Sequence, residues 1–198
     1  MGKLIVVNSV SLDGVMQAPG RSDEDTRDGF AHGGWAVPYS DEVMGRAMGE
    51  RMAGNTGAML LGRMTYEALY AFWPKQTDGN PYTEHLNRVR KYVVSTTLSD
   101  PLPWQNSTLI AGDVAGTVAG LKQESNLSVL GSGALLRTLI RANLVDQYLL
   151  LIHPLVLGAG RRLFADDAAF ATLRLVDSVT TTTGVIMATY EPTSGGTE

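Results

Sequence analysis

Three short segments of the chain have residue types that bind phosphate. They are Gly62-Arg63, Ser95-Thr96 and Gly131-Ser132-Gly133, and each directly follows an apolar run. Glycine lets backbone N–H groups approach a phosphate without an intervening side chain, and a helix that begins there adds a favourable dipole. The fixed charge and planar donors of Arg63 suit a phosphate monoester such as the adenosine 2′-phosphate of NADPH. The hydroxyls of Ser95 and Thr96 can donate to the same phosphate, and residues 131–133 suit a pyrophosphate.

Each of these segments also has an ordinary structural explanation. Residues 131–133 can form a tight turn that lets a helix pack closely on a sheet, and a surface salt bridge is the commoner fate of an arginine such as Arg63. A dinucleotide-binding GxGxxG motif would need a small residue where Leu136 stands and an acidic residue about 20 positions further on, which this sequence lacks. The ordinary Rossmann fold is therefore excluded.

The apolar pattern predicts the elements that carry these segments. Strands are expected at residues 3–9, 58–61, 91–94, 107–111, 127–130, 145–153, 173–181 and 185–190. Four helices are expected: one capped by Ser40, one capped by Thr65, one from residue 113 to about 124, and one after the 131–133 turn. Residues 17–39 are predicted to form a long surface loop. Alternating strands and helices indicate an α/β fold with a mostly parallel mixed sheet and a C-terminal antiparallel hairpin. Ligands bind beyond the carboxyl ends of such strands, where the three segments fall.

Composition narrows the classes of function. The chain has 198 residues, a net charge of −4 and no cysteine. We expect one domain over residues 1–192 and a flexible tail over 193–198. The charge argues against a nucleic-acid surface, and the missing cysteines exclude thiolate nucleophiles and cysteine-ligated zinc. The three histidines are scattered along the sequence and do not indicate a metal site. Because the sequence shows neither a bilayer-length apolar run nor a signal peptide, we expect a cytoplasmic protein with no membrane partner.

Several longer segments together resemble one superfamily. MLLGRMTYEAL, VLGSGALLRTLI and GWAVPYSDE are similar to the strand–Gly-Arg–helix, glycine-turn and loop-to-helix segments of dihydrofolate reductases. HPLVLGAGRRLF and SVSLDG resemble a narrower branch, the C-terminal reductase domain of bacterial bifunctional riboflavin-biosynthesis deaminase-reductases and its stand-alone relatives. The resemblance extends from Leu4 to Tyr190.

The resemblance implies an NADPH-dependent reductase with an eight-stranded sheet flanked by helices. Carried over by position, the cofactor-binding residues would be Gly62, Arg63, Met64, Thr65, Ser95, Thr96, Gly131, Ser132 and Gly133. The substrate class it implies is a ribosylaminopyrimidine phosphate, although these 198 residues contain no H-x-E…P-C-x-x-C signature of the zinc deaminase domain that the bifunctional enzymes carry. Three alternatives stay open: a weak dihydrofolate reductase, a reductase of another small carbonyl or imine, and a non-catalytic module that binds NADPH or a small ligand.

The substrate side departs from the dihydrofolate reductase pattern. Their catalytic acid lies just after a proline; in this chain Ser40 takes the matching position, and the nearest acids are Asp41 and Glu42. Asp41 is our candidate proton-relay or substrate-anchoring residue, with a helix N-terminal charge as its alternative role. Trp35 is expected to close over the substrate as an apolar lid. Arg161, with Arg162, is a candidate for a substrate phosphate or a solvated basic turn. An apolar edge at residues 185–190 can support a homodimer.

Overall fold

A computed structural model of the chain describes residues 1–54, 57–77, 79–164 and 170–193. The elements are β1 (Leu4–Ser11), α1 (Glu42–Gly54), β2 (Ala58–Gly62), α2 (Arg63–Phe72), α3 (Pro81–Arg88), β3 (Lys91–Val94), β4 (Ser107–Ile110), α4 (Val114–Glu124), β5 (Leu127–Leu130), α5 (Gly133–Arg141), β6 (Gln147–His153), β7 (Leu173–Thr180) and β8 (Ile186–Pro192). The eight strands form a mixed sheet in the order β4-β3-β2-β5-β1-β6-β8-β7. This confirms the predicted fold class. Residues 194–198 of the predicted tail lie outside the described part of the chain.

The chain divides into two compact units. The first contains Met1–Leu4 and Thr56–Leu144, and the second contains Ile5–Asn55 and Val145–Glu198. The prediction of a single domain over residues 1–192 stays a prediction.

The first unit is built on parallel strands. β2 pairs with β3 on one side and with β5 on the other, and β3 pairs with β4. One core cluster of this unit contains Met59, Leu61, Tyr66, Leu86, Val93 and Trp104. The Tyr66 hydroxyl within it accepts a hydrogen bond from the backbone N–H of Trp104 at 3.0 Å. These contacts bury one face of α2 and so fix the helix that starts at Arg63.

The same unit buries a lysine at the start of β3. The Lys91 ammonium lies 4.3 Å from the centroid of the Trp104 ring and donates to the carbonyls of Val89 and Gln105 at 2.9 and 3.2 Å. Burial lowers the pKa of Lys91 to about 8. The Lys91 ammonium is therefore paired at the amino end of β3, whereas Ser95 follows the carboxyl end of the same strand.

The second unit combines one parallel and two antiparallel pairings. β1 and β6 are parallel, and β6, β8 and β7 are antiparallel, as predicted. Its main cluster contains Ala47, Leu149, Leu151, Val185 and Met187, with Met44 and Met48 of α1 packed against it. The predicted Met face of α1 is therefore a core face, except that the side chain of Met52 lies outside the described residues.

Two predicted helix caps are wrong. Asp41, and not Ser40, caps α1, because its carboxylate accepts from the backbone N–H of Met44 at 2.8 Å. Thr65 does not cap α2, since that helix already begins at Arg63 with Gly62 as its N-cap. In both helices the N-cap lies at a different position from the predicted one, namely Asp41 in α1 and Gly62 in α2.

Three further expectations need correction. Helix α3 was not predicted, although Asn80 as N-cap and Pro81 in the first turn are its ordinary start signals. Residues 17–39 are not simply a surface loop, because Phe30 and Trp35 are buried in a cluster with Val15 and Ala18. Residues 185–190 are not a sheet edge: β8 lies between β6 and β7, so β7 forms the edge and the homodimer stays a prediction.

Candidate functional site

The carboxyl ends of β2, β3 and β5 lie at one edge of the first unit. The three strands are parallel neighbours, and Gly62 at the end of β2 is opposite Val94 at the end of β3. The predicted segments at residues 62–65, 95–96 and 131–133 therefore follow adjacent strands. This is the place where ligands bind to parallel sheets.

Ser132 connects the starts of α2 and α5. Its hydroxyl accepts from the backbone N–H of Gly62 at 2.9 Å and donates to the carbonyl of Leu130 at 2.9 Å. Its backbone N–H donates to the Thr65 hydroxyl at 3.0 Å. The bonds to Gly62 and Thr65 link positions 70 and 67 residues apart in sequence and hold the first turns of the two helices beside each other. They also explain why Thr65 is in the first turn without capping its own helix.

Both of these helices begin without a capping side chain. Gly62 has no side chain to offer α2, and Ser132 makes no side-chain hydrogen bond to the first turn of α5. In contrast, α1, α3 and α4 are capped by Asp41, Asn80 and Asp113. The first N–H groups of an α-helix have no partner within the helix. At α2 and α5 this leaves backbone donors and two positive dipole ends available to an anion.

The glycine turn has the backbone conformation that this arrangement needs. Gly131 and Ser132 are both left-handed, with φ of 59° and 62°. A Cβ added at Gly131 would lie 3.0 Å from the Thr65 hydroxyl oxygen and 3.3 Å from its methyl carbon. Glycine is thus required here for close packing as well as for its backbone angle, which is the structural explanation of this turn. The phosphate-binding role of the turn stays a prediction.

Arg63 is the first residue of α2 and forms an ion pair along that helix. Its Nη1 lies 3.0 Å from Oε2 of Glu67, and both side chains are 42% exposed. The surface salt bridge weighed from the sequence is therefore present. An exposed i, i+4 pair contributes only about 0.3–0.5 kcal/mol, so a phosphate dianion can displace it. The neighbouring Met64 is also partly exposed at this helix start.

Ser95 and Thr96 have different environments. Ser95 is buried, and its hydroxyl oxygen accepts from the backbone N–H groups of Thr97 and Leu98 at 3.1 and 3.0 Å. It shapes the turn that follows β3. Thr96 is exposed, so of the two predicted hydroxyls it is the one accessible to a ligand.

In the second unit, Asp41 is fully engaged in structural hydrogen bonds. One carboxylate oxygen caps α1 through Met44, and the other accepts from the hydroxyl and N–H of Thr182 at 2.6 and 2.7 Å and from the N–H of Thr183 at 3.3 Å. These bonds, that of the Thr182 hydroxyl first, lower the pKa of Asp41 from 3.8 to about 2. A carboxyl group with this pKa is ionised at neutral pH and cannot donate a proton. The geometry favours the helix-terminal role of Asp41 over the proton relay.

Asp13 plays a similar part in the turn after β6. Its carboxylate accepts from the Ser11 hydroxyl at 2.6 Å and from the backbone N–H groups of Leu157 and Gly158 at 3.1 and 2.9 Å. These bonds, with Ser11 as the largest cause, lower its pKa from 3.8 to about 2. The glycine turn at residues 157–160 therefore binds an anion from its own chain. In the sequence, Asp13-Gly14 is a turn signal, and it does not indicate this partner.

Arg161 and Arg162 are also paired within this unit. Arg161 Nη2 lies 2.9 Å from a carboxylate oxygen of Asp28, and Arg162 Nε donates to the carbonyl of Asp13 at 2.9 Å. Both guanidinium groups remain more than two-fifths exposed. Arg161 can therefore exchange Asp28 for a substrate phosphate at small cost.

Gln17 organises the loop that contains Trp35. Its amide nitrogen donates to the carbonyls of Asp25 and Arg27, and its amide oxygen accepts from the N–H of Arg161. The Trp35 indole N–H donates to the Gln17 carbonyl at 2.7 Å. Trp35 is thus packed in place rather than exposed as a lid. Sequence reasoning did not identify Gln17, since its partners are eight to 144 residues away.

His153 is buried beside Trp35. Its ring contacts Trp35 and Tyr39 edge-on, with centroids 5.1 and 5.6 Å apart, and Nδ1 is 2.9 Å from the Leu151 carbonyl oxygen. Burial lowers the pKa of His153, so the imidazole is neutral near pH 7. It supports the aromatic cluster at the end of β6.

Two further kinds of feature, a metal site and a membrane-spanning helix, do not occur among the described residues. No group of three or more histidine, aspartate or glutamate side chains is placed to hold a metal ion. None of the helices in the described ranges is long and apolar enough to cross a bilayer.

The family model of the RibD C-terminal domain matches residues 2–187. The chain belongs to this family. A curated relative, the uncharacterized protein YyaP of Bacillus subtilis, is 30% identical over 138 residues, which cover 67% of this chain and 72% of YyaP. The resemblance to the reductase branch is therefore confirmed.

Solved structures show the same fold at low sequence identity. A putative riboflavin biosynthesis protein from Shewanella is 20% identical with a TM-score of 0.67, covering 96% of this chain and 99% of that one. Dihydrofolate reductase from Enterococcus faecalis in complex with NADP(H) is 13% identical with a TM-score of 0.60 and 98% coverage of both chains. The Thermotoga maritima deaminase/5-amino-6-(5-phosphoribosylamino)uracil reductase is 11% identical with a TM-score of 0.60; the match covers 97% of this chain and 57% of that chain.

Proposed function

We propose that this protein is an NADPH-dependent reductase that transfers hydride to a small heterocycle, with a ribosylaminopyrimidine phosphate as its substrate class. The observation that carries the cofactor part is the pair of uncapped helix starts, α2 and α5, joined through Ser132. Family membership supports the reductase class, and one similar structure is a dihydrofolate reductase in complex with NADP(H).

The cofactor phosphates have a suitable set of donors in the first unit. Backbone N–H groups of residues 63–65 in the first turn of α2, and of Gly133 at the start of α5, would hold the pyrophosphate. The N–H groups of Gly62 and Ser132 already donate to side-chain oxygens and hold the two turns together. Arg63 and the exposed Thr96 would take the adenosine 2′-phosphate. When bound, NADPH supplies the hydride, and the protein supplies orientation and excludes water.

The substrate part of the proposal rests on the family and on one basic turn. The similar Thermotoga maritima protein is described as a reductase of a phosphoribosylaminouracil. Arg161, whose partly exposed side chain pairs with Asp28, is our candidate for the substrate phosphate. Trp35 and His153 would supply an apolar wall rather than a moving lid, because both are already packed.

A second candidate function is binding without turnover. It is favoured by the environment of Asp41, our candidate for proton transfer, whose carboxylate accepts several hydrogen bonds and has a pKa of about 2. The carboxylate of Asp13 is held in the same way and also has a pKa of about 2. In the reductase proposal the proton would instead come from solvent or from the substrate. NADPH absorbance decay with pyrimidine and dihydrofolate substrates separates the two functions, because a binding module is stabilised by NADPH but does not consume it.

The cofactor proposal is tested by Arg63→Ala. Loss of a charge-assisted hydrogen bond to a phosphate costs about 1.5–3 kcal/mol, so the dissociation constant for NADPH should rise about 10- to 100-fold. The constant for NADH should be nearly unchanged. Fluorescence titration of both dinucleotides gives the two constants directly.

A matched control is Arg90→Ala. Arg90 is exposed and immediately precedes β3, so it lies at the opposite end of that strand from Ser95. Arg90→Ala removes the same positive charge as Arg63→Ala, and we expect neither the NADPH nor the NADH dissociation constant to change. Equal losses for NADPH and NADH in Arg63→Ala would contradict the 2′-phosphate role.

A further inference from the structure

Arg63 shares the start of α2 with a carboxylate that no part of the proposed reaction uses. Glu67 lies one helical turn further along, and its Oε2 is 3.0 Å from Arg63 Nη1. Both side chains are 42% exposed, so solvent and ligands can reach either charge. A negative charge thus lies beside the cation that we assign to the 2′-phosphate.

The Glu67 carboxylate is expected to weaken the binding of a phosphate group at Arg63. A phosphate monoester carries close to two negative charges at neutral pH. To bind it, Arg63 has to leave Glu67 or share its donors with it, and Glu67 repels the phosphate in both arrangements. Exposed i, i+4 ion pairs add little to helix stability, so the larger consequence of Glu67 is for the ligand.

The same carboxylate suits the cofactor that lacks this phosphate. NADH carries a 2′-hydroxyl on its adenosine ribose, and acidic residues accept hydrogen bonds from that hydroxyl in NAD-binding sites. Arg63 and Glu67 therefore favour different dinucleotides from adjacent positions on one helix face. We propose that Glu67 is a specificity-determining residue that reduces the preference for NADPH set by Arg63. This inference rests on the proposed function.

The test is Glu67→Gln, which keeps the length of the side chain and an acceptor oxygen but removes the charge. The dissociation constant for NADPH should fall about three- to tenfold, because the repulsion of the phosphate is lost. The constant for NADH should stay the same or rise. The ratio of the NADH constant to the NADPH constant should therefore increase by at least about three- to tenfold. This gain should shrink at high salt because the charges are screened.

Two further variants separate the local effect from a change in net charge. Glu124→Gln removes an equally negative, exposed side chain at the end of α4, just before β5 begins, whereas the proposed phosphate site follows the end of β5. It should leave the ratio unchanged. Glu67→Asp keeps the charge and should stay near the wild-type ratio. Adenosine 2′-monophosphate should bind Glu67→Gln more tightly than wild type, and adenosine 5′-monophosphate should not.

The outcomes distinguish this inference from the function on which it rests. If wild type binds NADPH and Glu67→Gln has the same or a lower ratio, Glu67 does not oppose the phosphate and the inference is overturned. Weaker NADPH binding by Glu67→Gln would mean that Glu67 holds Arg63 in its binding orientation, which also overturns it. If wild type binds neither dinucleotide, the proposed function fails and the inference fails with it. Circular dichroism melting confirms that each variant is folded.

Discussion

Two glycine turns of this molecule differ in the side chains that surround their backbone N–H groups. The turn at residues 131–133 starts α5 without a capping side chain. The turn at residues 157–160 donates from Leu157 and Gly158 to the carboxylate of Asp13, an anion of the same chain. We call the turn at residues 131–133, whose N-cap residue makes no side-chain capping bond, the open turn. The turn at residues 157–160, which binds a carboxylate of its own chain, is the closed turn.

This difference shows that glycine content alone does not identify a phosphate site. Both turns contain left-handed glycines, and each has one that cannot carry a side chain: Gly131 packs against Thr65, and a Cβ at Gly160 would lie 2.7 Å from atoms of Phe30 and Val15. What separates them is a carboxylate 144 residues away in sequence. The electrostatic state of a turn depends on which side chains the fold brings to it.

The largest expected effect is that of Gly131→Ala on the open turn. Its φ of 59° costs an alanine about 1–2 kcal/mol, and the added Cβ would press on Thr65 at 3.0 Å. We expect a loss of about 1–3 kcal/mol in the free energy of unfolding and a marked loss of NADPH affinity, since the turn must shift. Denaturant unfolding and fluorescence titration measure the two effects.

Gly158→Ala is the matched control for that variant. Gly158 also has a positive φ, of 74°, but nothing lies within 4 Å of an added Cβ. It should show only the backbone cost and bind NADPH normally. Equal loss of NADPH affinity in the two variants would remove the distinction between the turns.

A smaller effect is expected from Asp13→Ala, which empties the closed turn. Its two backbone N–H donors and the Ser11 hydroxyl would lose their acceptor, so the melting temperature should fall by several degrees. Inorganic phosphate or sulfate should then raise the melting temperature of the variant more than that of wild type, because the emptied turn now binds an external anion.

Asp13→Asn serves as the comparison for that experiment. The amide keeps an acceptor oxygen and should lose less stability than Asp13→Ala. An Asp13→Ala protein that phosphate stabilises no more than wild type would show that the turn collapses without its carboxylate and is not an anion site.

Local sequence was sufficient for the strands but not for the ends of helices. The strands at 91–94 and 127–130 and the terminal hairpin were predicted closely, because β-branched runs bounded by turn residues are local signals. Ser40 and Asp41 are both good caps in adjacent positions, so the choice between them depends on Thr182 and Thr183, which also bind Asp41. Local patterns contain no information about those partners.

In the candidate site, too, local sequence was sufficient for the strand ends but not for the contacts between distant residues. Gly62, Ser95 and Gly131 were correctly expected at adjacent strand ends, because parallel strands place their carboxyl ends together. The bonds of Ser132 to Gly62 and Thr65, and those of Asp13 to Leu157 and Gly158, join residues 67 to 145 positions apart. They are properties of the fold, and only the structure reveals which turn is open.

The smallest effect on function is expected from Asp41→Asn, which tests the catalytic role suggested by the sequence. Asparagine is as good an N-cap as aspartate, so α1 should be retained. Turnover of a substrate identified in the NADPH assay should then change less than about threefold at pH 7, whereas loss of a general acid would cost about a hundredfold or more. A loss of that size would restore Asp41 to the reaction.

The stability of the same variant has a definite pH signature. Because hydrogen bonds lower the folded-state pKa of Asp41 from 3.8 to about 2, its ionised form stabilises the fold above pH 4, and this contribution is lost as the pH falls from about 4 to 2. Asp41→Asn removes this ionisation, so its denaturant midpoint should depend less steeply on pH than that of wild type over this range. Asp13 should keep its own share of the slope in the variant, since it has the same shift from separate partners. Identical slopes for wild type and Asp41→Asn would mean that Thr182 and Thr183 do not hold the ionised carboxylate in solution.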